Sequence, residues 1–85
     1  MKKVSVIGVG RLGICFALTL ERAGYDVMGL DIFPDYVNSI NNKTLKSDED
    51  NVEQYLKESE NFKATTDLME AVNFSDVLYL SLIHI

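Results

Sequence analysis

The run Gly8-Val9-Gly10-Arg11-Leu12-Gly13 constrains this chain more than any other stretch, because of what lies on either side of it. Before it, Val4-Ser5-Val6-Ile7 is short and largely β-branched, which suits a buried parallel strand. After it, Leu12, Phe16, Leu20 and Ala23 recur at helical spacing and Gly24 is the expected stop, so a helix is predicted over 12–23. Val27-Met28-Gly29-Leu30 then predicts a second strand, with Asp31 at its carboxyl end. Strand, helix and strand make a βαβ unit, whose crossover is right-handed in nearly all proteins.

Within such a unit each glycine has a physical reason. Gly8 permits the tight turn off the strand, Gly10 lets the main chain approach a pyrophosphate with no Cβ in the way, and Gly13 lets the helix pack closely on the sheet. The free N–H groups and the dipole of the helix then face the phosphates, with the backbone at Val9, Arg11 and Leu12 part of the same loop. A lone glycine pattern of this kind also occurs in ordinary turns. Its place between strand and helix, with an acid eighteen positions beyond Gly13, selects dinucleotide binding. Asp31 is placed to accept hydrogen bonds from adenosine ribose hydroxyls, and its carboxylate repels a 2′-phosphate, which favours NAD over NADP. A flavin dinucleotide stays open as an alternative, as does Asp31 as a solvated turn residue. The Arg11 side chain reads either as a phosphate or substrate contact or as a solvated loop charge.

The rest of the chain continues the alternation. Pro34 opens a short helix carrying Val37 and Ile40, and residues 41–51 read as a polar surface loop. Asp50 with Glu53 predicts a capping box for a helix bearing Val52, Tyr55, Leu56 and Ser59, and 62–66 a third strand. Asp67 with Glu70 repeats the capping pattern for a helix through Leu68, Ala71 and Val72 that ends near Ser75. Residues 77–83 are a nearly continuous apolar strand, expected to be buried on both faces. The fold class that follows is α/β: a partial Rossmann-type doubly wound parallel sheet of four strands in spatial order 3-2-1-4. Residues 1–85 then form the N-terminal part of one dinucleotide-binding domain, without repeats or low-complexity tracts.

Composition narrows the partners. A chain of 85 residues makes at most one small domain. Folding at this size buries only about 60–65% of the unfolded surface, so stability is marginal. A formal charge of -5 repels nucleic acid and anionic lipid, so neither is expected as a partner. No stretch approaches the ~20 apolar residues that span a bilayer. Arg11 interrupts the apolar run after Met1-Lys2-Lys3, which argues against a signal peptide, and a cytoplasmic location is expected. The single Cys15 reads as a packed thiol rather than a nucleophile, and His84 is assigned no chemistry. The acids within 48–60 lack metal-ligand spacing and read as a solvated face, so no metal is expected.

With these motifs placed, residues 2–82 resemble the N-terminal domain of the nucleotide-sugar dehydrogenases, the UDP-glucose and GDP-mannose 6-dehydrogenase family. KVSVIGVGRLG at 3–13, GYDVMGLDI at 24–32, INNKT at 40–44, Glu49 ahead of a helix, KATTD at 63–67 and FSDVLYLSL at 74–82 carry the resemblance. The glycine loop is shared with many dehydrogenases, whereas INNKT followed by ATTD and an SDV strand is much narrower. The resemblance implies oxidation of the C6 hydroxyl of a sugar nucleotide to a carboxylate with two NAD per turnover, in the setting of polysaccharide biosynthesis. It also implies that residues 8–13 and Asp31 contact NAD, and that the full-length protein is a homo-oligomer. The family's catalytic cysteine and sugar-binding residues belong to a later domain, and Cys15 does not match that nucleophile. The chain alone is therefore expected to bind NAD weakly at best and to catalyse nothing.

Three positions differ from the family pattern. Tyr36 stands where a Lys or Arg is common, Glu49-Asp50-Asn51-Val52 replaces a Glu-Pro-Gly-Leu turn, and Ile83-His84-Ile85 stands where a Pro-Thr-Pro-like loop follows the last strand. Residues 81–85 also resemble translated sequencing-adapter read-through, although the apolar strand pattern continues through Ile83, and the reading frame is expected to be truncated. Two other readings stay open: another NAD-dependent hydroxy-compound dehydrogenase of the 3-hydroxyacyl-CoA type, and a non-catalytic nucleotide-sensing module.

Overall fold

The structure, a computed structural model, describes residues 2–49 and 51–80. In chain order it runs β1 (Lys3–Ile7), α1 (Arg11–Arg22), β2 (Asp26–Leu30), α2 (Pro34–Asn41), α3 (Val52–Glu58), β3 (Phe62–Thr65), α4 (Leu68–Phe74) and β4 (Leu78–Leu80). The strands form one parallel sheet in the order β3-β2-β1-β4, the α/β arrangement expected from the sequence.

Alternation along the strands sorts their side chains between two helical layers. Val4, Val6, Val27, Phe62 and Ala64 pack with Ile14, Ala17 and Leu18 of α1, Val37 and Ile40 of α2, and Val52 and Leu56 of α3. Residues of the other parity, Ser5, Met28 and Leu30, are also buried, and α4 lies over this side, chiefly on β1 and β2. There the Ser5 hydroxyl donates to the Ala71 carbonyl at 2.6 Å. Helices on both faces make the sheet doubly wound.

Several expectations need correction. The buried stripe of α1 is Ile14, Ala17 and Leu18 rather than Leu12, Phe16, Leu20 and Ala23; Leu12 is 64% exposed, and Phe16 and Leu20 only flank the core. The apolar residues of this helix are too many for one stripe, so spacing alone does not say which of them face the sheet. The α3 N-cap is Asn51, in a left-handed conformation with no side-chain cap, and Asp50 lies outside the described residues. Glu53 instead accepts from the Ser47 backbone N–H at 3.0 Å. Ser59 follows the helix as its C-cap and donates to the Leu56 carbonyl. The α4 cap forms as expected, with Asp67 accepting from the N–H groups of Met69 and Glu70.

Of the expected strand over 77–83, Leu78–Leu80 is observed, and 81–83 lie outside the described residues. Its burial on both faces is overturned: Leu78, Tyr79 and Leu80 are 46%, 43% and 66% exposed. Among the described residues β4 pairs with β1 alone, and α4 sits over the neighbouring strands. Tyr79 gains cover on one side by stacking on Phe16 of α1, with ring centroids 4.1 Å apart. No helix of the described residues is long and apolar enough to cross a membrane.

The opposite edge of the sheet is closed by a side chain. Asn41, the last residue of α2, donates through Nδ2 to the Ala64 carbonyl at 2.9 Å and accepts through Oδ1 from the Ala64 N–H at 2.8 Å. Its carboxamide thus pairs with β3 as a strand peptide would. Replacing Asn41 with Ala frees both groups of Ala64. The expected result is a loss of about 1–2 kcal/mol in urea unfolding, with concentration-dependent association on gel filtration as β3 becomes an open edge.

Candidate functional site

The glycine loop begins where β1 ends. Ile7 lies opposite Leu30 in the parallel register, and the N–H groups of Gly8 and Val9 both donate to the Leu30 carbonyl, at 2.8 and 3.2 Å. Gly8 has a φ of 91°, a conformation that L side chains rarely adopt, so glycine is required there by the turn. Asp31 follows Leu30 directly, and its own N–H donates to Thr65 on β3 at 3.0 Å. The sheet therefore brings residues 8–13 and Asp31 together at the carboxyl ends of β1 and β2, as the sequence implied.

Gly10 differs from Gly8. Its φ is -67°, which any residue tolerates, and a Cβ there would meet no atom of the described residues within 4 Å. Among the described residues neither backbone strain nor packing asks for glycine at this position. Gly10 is also the N-cap of α1, with no side-chain cap and no acid in the first turn. The uncapped N–H groups and the positive end of the helix dipole are thus left for an external anion. This is the geometry that a dinucleotide pyrophosphate fits: open space beside a backbone without a Cβ, at the N-terminus of a twelve-residue helix.

Asp31 is half-buried, and one of its oxygens, Oδ1, accepts from the Phe33 N–H at 3.3 Å. The carboxylate thus shapes its own turn through Oδ1. Leu12 is exposed. Gly13 is buried in α1. Nothing is described of the Arg11 side chain, so the two readings of it lie outside the described residues. Cys15 is half-buried against the core, in keeping with a packed thiol. No group of three or more potential metal ligands occurs among the described residues.

The parts that two residues play in holding this site, Gly29 and Tyr36, escaped the sequence reading. Val9 is fully buried, and its side chain occupies the space above Gly29 of β2: a Cβ on Gly29 would lie 2.5 Å from Val9 Cγ1 and 3.3 Å from Phe62 Cε1. A glycine inside a strand is a signal of close approach, so Gly29 was open to discovery. The second is Tyr36 of α2, whose hydroxyl donates to the Val9 carbonyl at 2.5 Å. Burial, then the Asp31 carboxylate and Cys15, push the Tyr36 hydroxyl up to about 12, so it stays a protonated donor through the neutral range. No sequence signal marks this contact, because its acceptor is a main-chain carbonyl 27 residues away.

Known proteins similar to this chain fall among NAD-dependent dehydrogenases. The sequence model described as "UDP-glucose/GDP-mannose dehydrogenase family, NAD binding domain" matches residues 2–83. UDP-N-acetyl-D-mannosamine dehydrogenase of Methanococcus maripaludis is 38% identical over 77 residues, covering 87% of this chain and 18% of that protein. Glycerol-3-phosphate dehydrogenase [NAD(P)+] of Staphylococcus epidermidis is 32% identical over 85 residues, covering 96% of this chain and 24% of that protein. Among solved structures, GDP-mannose dehydrogenase from Pseudomonas aeruginosa superposes with a TM-score of 0.87 at 28% identity, over 94% of this chain and 19% of that one. The chain thus spans about a fifth of the length of these relatives.

The seating of Val9 yields a direct test. Gly29→Ala places a methyl against a stiff, fully buried β-branched side chain, so a loss of about 1–3 kcal/mol is expected in denaturant unfolding. A double variant with Val9→Ala should recover part of that loss.

Proposed function

The chain belongs to the UDP-glucose/GDP-mannose dehydrogenase family as its NAD-binding domain, and on that premise we propose that it is the cofactor-holding segment of a nucleotide-sugar dehydrogenase that oxidises a sugar C6 hydroxyl to the carboxylate with two NAD. The observation that carries this reading is Gly10, a glycine required among the described residues by neither backbone conformation nor packing, set at an uncapped helix N-terminus. A ligand whose phosphates approach the main chain supplies the missing reason. In this reading the N–H groups at the start of α1 hold the pyrophosphate, residues 8–13 shape the cradle, and Asp31 accepts from the adenosine ribose hydroxyls. NAD supplies the hydride acceptor when bound. The sugar contacts and the groups that handle protons belong to the part of the longer relatives that this chain does not span. The family names also support a sugar nucleotide as the substrate class of the full-length protein.

Isothermal titration of the 85-residue chain tests the two contacts separately. NADH is expected to bind more tightly than NADPH, and Asp31→Ala to weaken NADH by about 10-fold or more, as lost hydrogen bonds to a charged group do, while narrowing the gap to NADPH. Equal affinities in the unmodified chain would overturn the ribose assignment. Gly10→Ala should leave the circular dichroism unchanged, since its Cβ meets nothing among the described residues, and cost about 0.5–1 kcal/mol in unfolding because alanine caps a helix less well than glycine, yet reduce NAD affinity by about an order of magnitude or more. Full retention of affinity would remove the phosphate-loop reading.

A further inference from the structure

Gly29 lies inside β2, which pairs with β1 on one side and β3 on the other, so its backbone is clamped from both directions. Val9 stands over it, fully buried, with Phe62 of β3 beside the same spot. A methyl on position 29 would require Val9 Cγ1 to retreat from 2.5 Å to the 3.4 Å of ordinary contact, a shift of about one ångström. A β-branched side chain is stiff at χ1, so the retreat passes to the main chain of residue 9. That main chain is the part able to yield. Its N–H reaches the Leu30 carbonyl at 3.2 Å, against 2.8 Å for Gly8, and a Cβ on the next residue, Gly10, would meet nothing among the described residues. Asp31, by contrast, is tied to Thr65 of β3 through its N–H and holds its own turn through the Phe33 N–H.

We infer that Gly29 is a positioning residue for the cofactor: the missing side chain on β2 is the seat of Val9, and the depth of that seat sets the height at which residues 8–13 stand above the sheet to meet the pyrophosphate. The role rests on the phosphate-loop reading above and adds to it the position beneath the loop that fixes its level. A side chain at 29 lifts the loop while the end of β2 stays in place. Hydrogen bonds to a phosphate weaken steeply with such a displacement, because distance and angle are lost together. Gly29 acts through Val9, so filling its seat weakens ligands that carry a pyrophosphate and spares those that do not.

Titration of the Gly29→Ala chain with NAD, ADP-ribose and adenosine tests this, since the stoichiometry reports the folded fraction and leaves the dissociation constant separate from any loss of stability. The constants for NAD and ADP-ribose should rise about 10-fold, as when one hydrogen bond to a charged group is lost, and that for adenosine should stay unchanged. Adding the same methyl to a Val9→Ala chain should leave all three constants where Val9→Ala put them, because the side chain that transmits the push is gone. An equal loss for adenosine, no loss for NAD and ADP-ribose, or a full loss that persists with Val9→Ala overturns the inference. Should ADP-ribose bind the unmodified chain no more tightly than adenosine, the phosphate-loop reading fails and takes this inference with it. If Gly29→Ala does not fold, Val9→Ile decides in its place, since it adds a carbon over the same seat from the side of the loop. Weaker NAD and ADP-ribose with adenosine spared sustains the role, and unchanged constants overturn it.

Discussion

The parallel pairing of β1 with β2 is the constraint on which the other parts depend. It runs from Lys3 opposite Asp26 to Ile7 opposite Leu30, then continues past the strand as two N–H groups converge on the Leu30 carbonyl. The chain can therefore leave the sheet toward α1 while still anchored to β2. One residue further on, the Asp31 N–H bonds to Thr65 and ties the acid to β3. A slip of one residue would exchange the faces of every side chain on β2. Met28 would replace Gly29 beneath Val9, where even a single methyl has no room.

The two faces of the sheet are built differently. The side under α1, α2 and α3 holds branched aliphatic residues in depth, whereas α4, seven residues long, buries Ala71 against the other side. Small residues on both partners allow this close approach, and the buried Ser5 hydroxyl meets the Ala71 carbonyl instead of standing unpaired. An unpaired hydroxyl at such a place would cost about 1–3 kcal/mol. At the start of α4, Thr65 links strand to helix: its hydroxyl donates to Glu70 and accepts from the Asp67 N–H. The second face is thus held by specific polar contacts as much as by apolar area.

Element order, strand order and the placing of the glycine loop beside Asp31 were all legible in the sequence, because they follow from local periodicity and from the short list of βαβ connections. What stayed hidden depended on tertiary partners. The buried stripe of α1 was displaced, since Leu12, Cys15, Phe16 and Leu20 make several of its faces look apolar. The strand at Leu78–Leu80 looks like an interior strand by composition, yet its exposure is set by what lies beside it, which composition does not encode. Tyr36 and Asn41 act on main-chain groups far away in the sequence, and such contacts leave no periodic trace. Gly29 was the exception, a visible mark whose meaning became clear only with Val9 above it.

The carboxamide of Asn41 gives the sheet a polarity of growth. With β3 already paired on its outer side at Ala64 by a side chain, that end is finished once residues through Ala64 are in place, while among the described residues β4 pairs with β1 alone. A strand joining this sheet therefore adds at one end, next to β4. For a chain emerging from the ribosome N-terminus first, the finished end is made early, and the sheet extends in the direction of synthesis.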